Sequence, residues 1–256
     1  MSAESPPLLE LKGVSKSFYA VQALSKVDFL ARTGEVTALV GDNGAGKTTL
    51  IKGIAGIYPF DQGEIYFKGT KVNIRNPRAS AALGIEVVYQ DLALADNLDV
   101  VANMFLGREW VKHPWCLDEI GMEQACLATL DALSVTTLYS VRQPVVALSA
   151  GQRQAVAVAK TVLRNSRLVI LDEPTAALGA AQTRQVLDLV RRLADQGMGV
   201  ILISHNLHDI FEVADRIIVL RLGRKVAEYG AAQTTPQEVV HAITAGKLTP
   251  LSGRAA

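Results

Sequence analysis

In this chain of 256 residues, the run GDNGAGKT at Gly41–Thr48 has the G-x-x-x-x-G-K-[ST] spacing of a phosphate cradle. Glycines at Gly41, Gly44 and Gly46 carry no Cβ, so the backbone N–H groups from Gly41 through Asp42, Asn43, Gly44, Ala45 and Gly46 can converge on phosphate oxygens. Lys47 adds a point charge for the β and γ phosphates. Thr48 offers a hydroxyl to Mg²⁺, a cation that prefers oxygen ligands and keeps several waters, and Thr49 extends the same helical turn. The plain alternative is a glycine-rich turn; the apolar run before the motif and the helical pattern after it argue for the cradle.

Two neighbouring carboxylates, Asp172 and Glu173, close the apolar run RLVILDE. At a strand end beside a phosphate loop, Asp172 suits a metal's coordination and Glu173 the activation of water. A solvated strand terminus is the bland reading. Gln90 closes IEVVYQ and His205 closes VILISH, so two further polar side chains are expected on the edge of the sheet where such folds bind ligands. Taken alone, His205 is better read as a satisfied strand-end histidine; its agreement with the other motifs favours the site. His208 and His241 fall on predicted helices and His113 in a predicted loop, and none of these is given any chemistry.

A second anion-facing turn is written in LSAGQRQ. Ser149 and Gln152 have the S-x-x-Q spacing of a capping box, which by itself explains the pair. Gly151 costs helix stability relative to alanine, and it offers close approach to backbone amides at the positive end of a helix dipole. Since the phosphate cradle is already formed around Lys47, the anion met by Ser149 and Gly151 must belong to a nucleotide held elsewhere.

The elements that would position these residues follow from hydropathy and turn chemistry. Residues 8–35 read as antiparallel strands, EVTALVG as a buried strand, KTTLIKGIAGI as a helix, 61–75 as a hairpin and GIEVVYQ as another buried strand. From about 91 to 163 the β signal fades into amphipathic helices. Strand–helix alternation then resumes through RLVILDE, a helix near 180–195, GVILISHN, a helix near 206–214 and the hairpin RIIVLRLGRKVAEYG. TPQE, with Thr235 at a cap position and Pro236 next, announces a short final helix. The expected class is α/β, a mostly parallel core sheet with an N-terminal antiparallel β subdomain and an inserted helical subdomain. One domain spans 5–246, and 247–256 is expected to be a disordered tail.

Composition narrows the partners. Lys+Arg 26 against Asp+Glu 25 leaves a net charge of +1, which argues against a nucleic-acid binder held by bulk charge. Cys116 and Cys126 fit neither a metal clip nor a disulfide framework and are expected as reduced thiols. Neither a spanning apolar run nor a signal peptide is evident, so the chain is expected to be soluble and intracellular. In VANMFLG, Val101, Met104 and Phe105 recur at helical spacing and are assigned to packing rather than recognition.

Phosphate loop, Gln90, LSAGQ, LVILDE and SH, in that order, make the chain resemble the ATP-binding subunit of an ABC transporter over roughly residues 8–230. The resemblance implies a P-loop NTPase fold and an ATPase that uses ATP and Mg²⁺ at the cytoplasmic face of the inner membrane, attached there through an integral permease. Two cassettes, a homodimer or a pair with a sister subunit, would pack head to tail, placing Ser149 and Gly151 on the γ-phosphate held by the partner, with Gln152 counted in the same nucleotide-binding turn. Gln90 would sense metal and water, and His205 would hold the γ-phosphate and attacking water. Phe18 would stack on adenine; Tyr19 is next in line, and either aromatic could instead be core. Two positions depart from the family pattern: LSGGQ reads LSAGQ, and the expected aspartate after the catalytic carboxylates is Gly179. GDNGAGKTTLIK and YQDLALADNLDVVANMFLGRE are most similar to ATPases for ribose-, xylose- and fructose-type uptake, which work indirectly with a solute-binding protein. A soluble ABC-type ATPase without a permease, and an importer of another solute, are the alternatives.

Overall fold

A computed structural model describes residues 7–113 and 115–245. In chain order the strands are β1 (Pro7–Phe18), β2 (Val21–Arg32), β3 (Val36–Val40), β4 (Gln62–Phe67), β5 (Thr70–Val72), β6 (Ile85–Val88), β7 (Val111–His113), β8 (Cys116–Leu117), β9 (Leu168–Asp172), β10 (Gly199–Ile203), β11 (Arg216–Arg221) and β12 (Arg224–Gly230). The α-helices are α1 (Lys47–Ile54), α2 (Pro77–Ala82), α3 (Val100–Phe105), α4 (Glu119–Ala132), α5 (Ala150–Leu163), α6 (Ala180–Asp195), α7 (Leu207–Val213) and α8 (Pro236–Ala245).

The core sheet has the order β12-β11-β3-β10-β9-β6, parallel except for the antiparallel edge strand β12. Its strands are nearly continuous apolar runs because both faces are covered: VTALV of β3 and GVILI of β10 are buried throughout. Alternate residues of one strand feed opposite cores. On β9, Val169 and Leu171 join α3, α4 and α5 through Val101, Met104, Cys126 and Val156, whereas Leu168 and Ile170 face α1 and the antiparallel sheet through Ile51, Leu9 and Phe29. That second sheet, β2-β1-β4-β5, is the expected N-terminal β layer.

Parallel pairing also levels the strand ends. Val88 lies opposite Leu171, Ile203 opposite Asp172, and Ile203 opposite Leu39, so the loops leaving β6, β9, β10 and β3 open along one edge. Val101, Met104 and Phe105 are buried, as the spacing predicts. Thr235 and Glu238 form the capping contacts expected ahead of α8, with the Glu238 N–H to Thr235 Oγ1 at 3.3 Å and the Thr235 N–H to Glu238 Oε2 at 2.9 Å.

The structure corrects the sequence reading in three places. Residues 91–163 are not purely helical: β7 and β8 form an antiparallel hairpin there, and His113 belongs to it rather than to a loop. The short alternation around Trp110–Leu117 lacks a Gly or Asn turn signal, which concealed it. Helix α2 was not anticipated, although Asn76 caps it through Oδ1 to the Ala79 N–H at 2.9 Å and Pro77 occupies its first turn. Strand β6 ends at Val88, so Gln90 stands beyond the strand rather than closing it. The expected disordered tail at 247–256 lies outside the described residues. Among the described residues, no helix is long and apolar enough to cross a membrane.

Candidate active site

The loop from β3 into α1 begins at Gly41, where a Cβ would lie 2.2 Å from the Leu220 carbonyl oxygen of the adjacent strand. It ends at Gly46, the α1 N-cap, held at φ 101° with no room for a Cβ beside Ala23 O. A glycine cap has no side chain to close the first-turn amides, so the helix N-terminus stays available to an anion. Lys47 Nζ bridges the loop, donating to Gly41 O at 2.6 Å and Asp42 O at 3.1 Å. Burial lowers the Lys47 pKa, while Glu173, Asp42 and Asp172 pull it back toward the charged form.

Lys47, Thr48, Gln90, Asp172 and Glu173 line one cavity of about 750 Å³, together with Asn43–Gly46 and Thr49. Sequence reasoning missed its other wall, made by Val21, Gln22 and Ala23 at the start of β2 and by Leu222 and Gly223 in the β11–β12 turn. Val21 and Leu222 are largely exposed apolar side chains beside a phosphate loop, and only the sheet pairing brings these distant segments there.

Glu173 follows β9 with φ 51°, a left-handed conformation that costs about 1–3 kcal/mol in a non-glycine residue. Its N–H donates to Ile203 O at 2.9 Å, which ties the turn to β10. Its Oε2 lies 2.7 Å from His205 Nδ1. The carboxylate is mostly shielded (18% exposed) and the imidazole open (77%), so His205 can serve as the outward extension of a buried base. Thr48, Gln90 and Asp172, which carry a hydroxyl, an amide and a carboxylate, line the same cavity, and their oxygens make a hard-donor set suited to Mg²⁺. Among the described residues, no cluster of three His, Cys, Asp or Glu could hold a metal by itself, so a divalent ion here would complete its shell with phosphate oxygens and water.

Burial first, and the Glu173 carboxylate second, raise the Asp172 pKa, against Lys47 and Lys52. A carboxyl whose folded pKa exceeds its unfolded value binds more protons when folded, so ionising it costs stability as pH rises through that window, and the cost is absent below the unfolded pKa. Asp172→Asn is therefore expected to raise the melting temperature of the nucleotide-free subunit near neutral pH, with the gain vanishing below the ordinary aspartate range. Calorimetry across pH checks this, and an unchanged neutral-pH melting temperature contradicts it.

Phe18 does not line the cavity. It is part-exposed and packs edge-on against Tyr58, centroids 5.1 Å apart, while Tyr19 is fully exposed at φ 52° in the β1–β2 turn, so neither is core.

Ser149, Gly151 and Gln152 stand apart from this group. The capping box is present: Gln152 N–H to Ser149 Oγ is 3.3 Å and Ser149 N–H to Gln152 Oε1 is 2.8 Å. Because Ser149 Oγ accepts in this pair, its O–H remains able to donate, so capping and anion contact are compatible. Gln152 Nε2 donates to Thr137 O at 2.6 Å, so both ends of this side chain are engaged within the chain. Gly151 is buried, and a Cβ there would lie 3.1 Å from Gln182 Cβ, a packing reason for glycine that the sequence did not reveal. Gly151 lines a different cavity, with Val135, Thr137, Val186 and Arg192.

Comparison with known proteins gives consistent results. A family model described as ABC transporter matches residues 24–176. The chain is 42% identical to a fructose import ATP-binding protein of Rhizobium meliloti, covering 98% of each. It is 44% identical to a xylose/arabinose import ATP-binding protein of Sulfolobus acidocaldarius, over 93% of this chain and 94% of that protein. A ribose import ATP-binding protein of Caldanaerobacter subterraneus subsp. tengcongensis is 40% identical over 94% of this chain, which spans 48% of that longer protein. Among solved structures, an ATP-binding cassette of an ABC transporter in its ADP conformation superposes with TM-score 0.79 at 24% identity, covering 93% of this chain and 95% of that one. At that identity the likeness speaks for the fold alone.

Proposed function

Because the chain belongs to the ABC transporter family as an ATP-binding, ATP-hydrolysing subunit, we propose that it energises monosaccharide uptake through a membrane permease, as one of two cassettes that share two ATP sites. The observation that carries the shared-site reading is the division of anion-facing groups. Lys47, Thr48 and the carboxylates line one cavity, while Gly151 lines another and Ser149, which caps the same helix as Gly151, does not line the first. The sequence holds one phosphate loop and one LSAGQ turn. Each loop therefore needs the turn of another cassette, in a second copy of this chain or in a sister subunit. A structural neighbour with ADP and phosphate is itself described as dimeric.

In this mechanism the loop amides and Lys47 hold the β and γ phosphates, and the exposed apolar faces of Val21 and Leu222 flank the remainder of ATP. Mg²⁺, held by Thr48 and Asp172 with Gln90 alongside, would neutralise phosphate charge. Glu173 orients a water for in-line attack on the γ-phosphorus and accepts its proton while the bond to the bridging oxygen breaks and ADP leaves; His205 steadies the carboxylate through the 2.7 Å contact, and its exposed ring would meet the γ-phosphate. The partner's Ser149 hydroxyl and helix N-terminus close on the same phosphate. Closure therefore depends on ATP occupancy, because only the closed state makes those contacts.

The uptake reading rests on the fructose and xylose/arabinose relatives that this chain matches nearly end to end. It places the subunit at the cytoplasmic face of the membrane, attached through a permease, with a solute-binding protein acting through that permease and no nucleic-acid partner. Affinity purification from detergent-solubilised membranes tests it. The expected result is a polytopic permease in the complex and ATPase activity that responds to a monosaccharide and its binding protein. A fully active ATPase with no membrane companion contradicts it.

A further inference from the structure

Asp209, in the first turn of α7, is a buried carboxylate (3% exposed) that does not line the nucleotide cavity. Each of its oxygens takes a donor from a different loop. Oδ2 accepts from Thr175 Oγ1 at 2.7 Å, across 34 positions of sequence, and Oδ1 accepts from Asn206 Nδ2 at 2.7 Å. Thr175 comes two residues after Glu173, and Asn206 directly after His205. The Glu173 N–H to Ile203 O joins these loops at their roots, and Asp209 joins them a second time further out.

Pro174, between Glu173 and Thr175, has a fixed φ and no N–H, so the link is short and stiff, and the place where Thr175 is held bears on how Glu173 stands. Glu173 needs such support, since its φ of 51° persists only where the surroundings overdetermine it. On the other loop, the Asn206 N–H donates to Ser204 Oγ at 3.0 Å, and Asn206 Oδ1 accepts from the His208 N–H at 3.1 Å. The His205 ring is 77% exposed and bonds Glu173 Oε2, so the backbone beside it, rather than packing, sets its place.

We propose that Asp209 is a positioning residue for hydrolysis: one buried carboxylate fixes the loop after β9 against the loop after β10 and so holds Glu173 and His205 in register on one phosphate. It acts through the Glu173–His205 pair, read above as hydrolytic, and touches no nucleotide.

The test measures ATP affinity and single-turnover phosphate release in the full chain, so that slow variants remain readable. Asp209→Ala is expected to slow hydrolysis about tenfold, the scale of one charge-assisted hydrogen bond, with ATP affinity parental. Thr175→Val, which loses the donor at constant shape, slows it in the same direction, and Thr175→Ser, which keeps the hydroxyl, recovers most of the rate. In a His205→Ala background, where no pair is left to align, Asp209→Ala costs about twofold or less, whereas a residue that only stabilises the fold gives the same loss in both backgrounds. A parental rate in Asp209→Ala, or equal losses with and without His205, overturns the proposal; should Asp209→Ala not fold, Thr175→Val takes its place in both comparisons. A parental rate in His205→Ala alone overturns the reading of the hydrolytic pair, and with it the role of Asp209.

Discussion

Glu173→Gln is expected to slow ATP hydrolysis by about 10²- to 10⁴-fold, the usual consequence of removing a positioned acid/base group, while ATP binding stays close to parental. The substitution keeps side-chain shape and a hydrogen-bonding oxygen toward His205 and removes only the proton acceptor. Glutamine meets the left-handed backbone at φ 51° no worse than glutamate does, so the turn should survive. Single-turnover phosphate release beside equilibrium nucleotide binding separates the two steps. Near-normal turnover would remove Glu173 from the role of base.

Lys47→Ala should act earlier in the cycle. The ammonium is the one cation of the phosphate loop, and it faces Asp172 and Glu173 across the cavity. Losing a charge-assisted contact is worth about 1.5–3 kcal/mol, or roughly 10- to 150-fold in affinity. Lys47 also braces Gly41 O and Asp42 O, so calorimetric titration with ATP should be paired with a melting curve that separates lost charge from a loosened loop. Unchanged ATP affinity in a folded variant would contradict the cradle.

The site was legible in the sequence wherever its chemistry is local. The phosphate loop lies between a buried strand and a helix that begins at Lys47, and the carboxylates end an apolar run that proved to be β9. What brings Gln90, Asp172, Glu173 and the loop together is the strand order β3-β10-β9-β6, which hydropathy periodicity cannot supply. For the same reason Val21 and Leu222 went unnoticed, since both reach the cavity through pairings between segments far apart in the chain. Gly151 shows the limit from the other side: the turn chemistry around Ser149 was readable, but the tight contact with the Gln182 side chain that favours a glycine depends on how α5 meets α6. The β7–β8 hairpin and α2 were missed because each is short and carries little periodic signal.

The most direct test of the shared site is complementation in mixed pairs. Subunits carrying Glu173→Gln and subunits carrying Ser149→Ala, each inactive or nearly so alone, are mixed in equal amounts and their ATPase measured. A random mixture of closed two-fold pairs contains one site with both good halves in about half of the pairs, so activity should return to roughly a quarter of the parental value. If the mixture is no more active than the sum of its parts, or if Ser149→Ala alone hydrolyses ATP at the parental rate, the turn does not complete a neighbour's site.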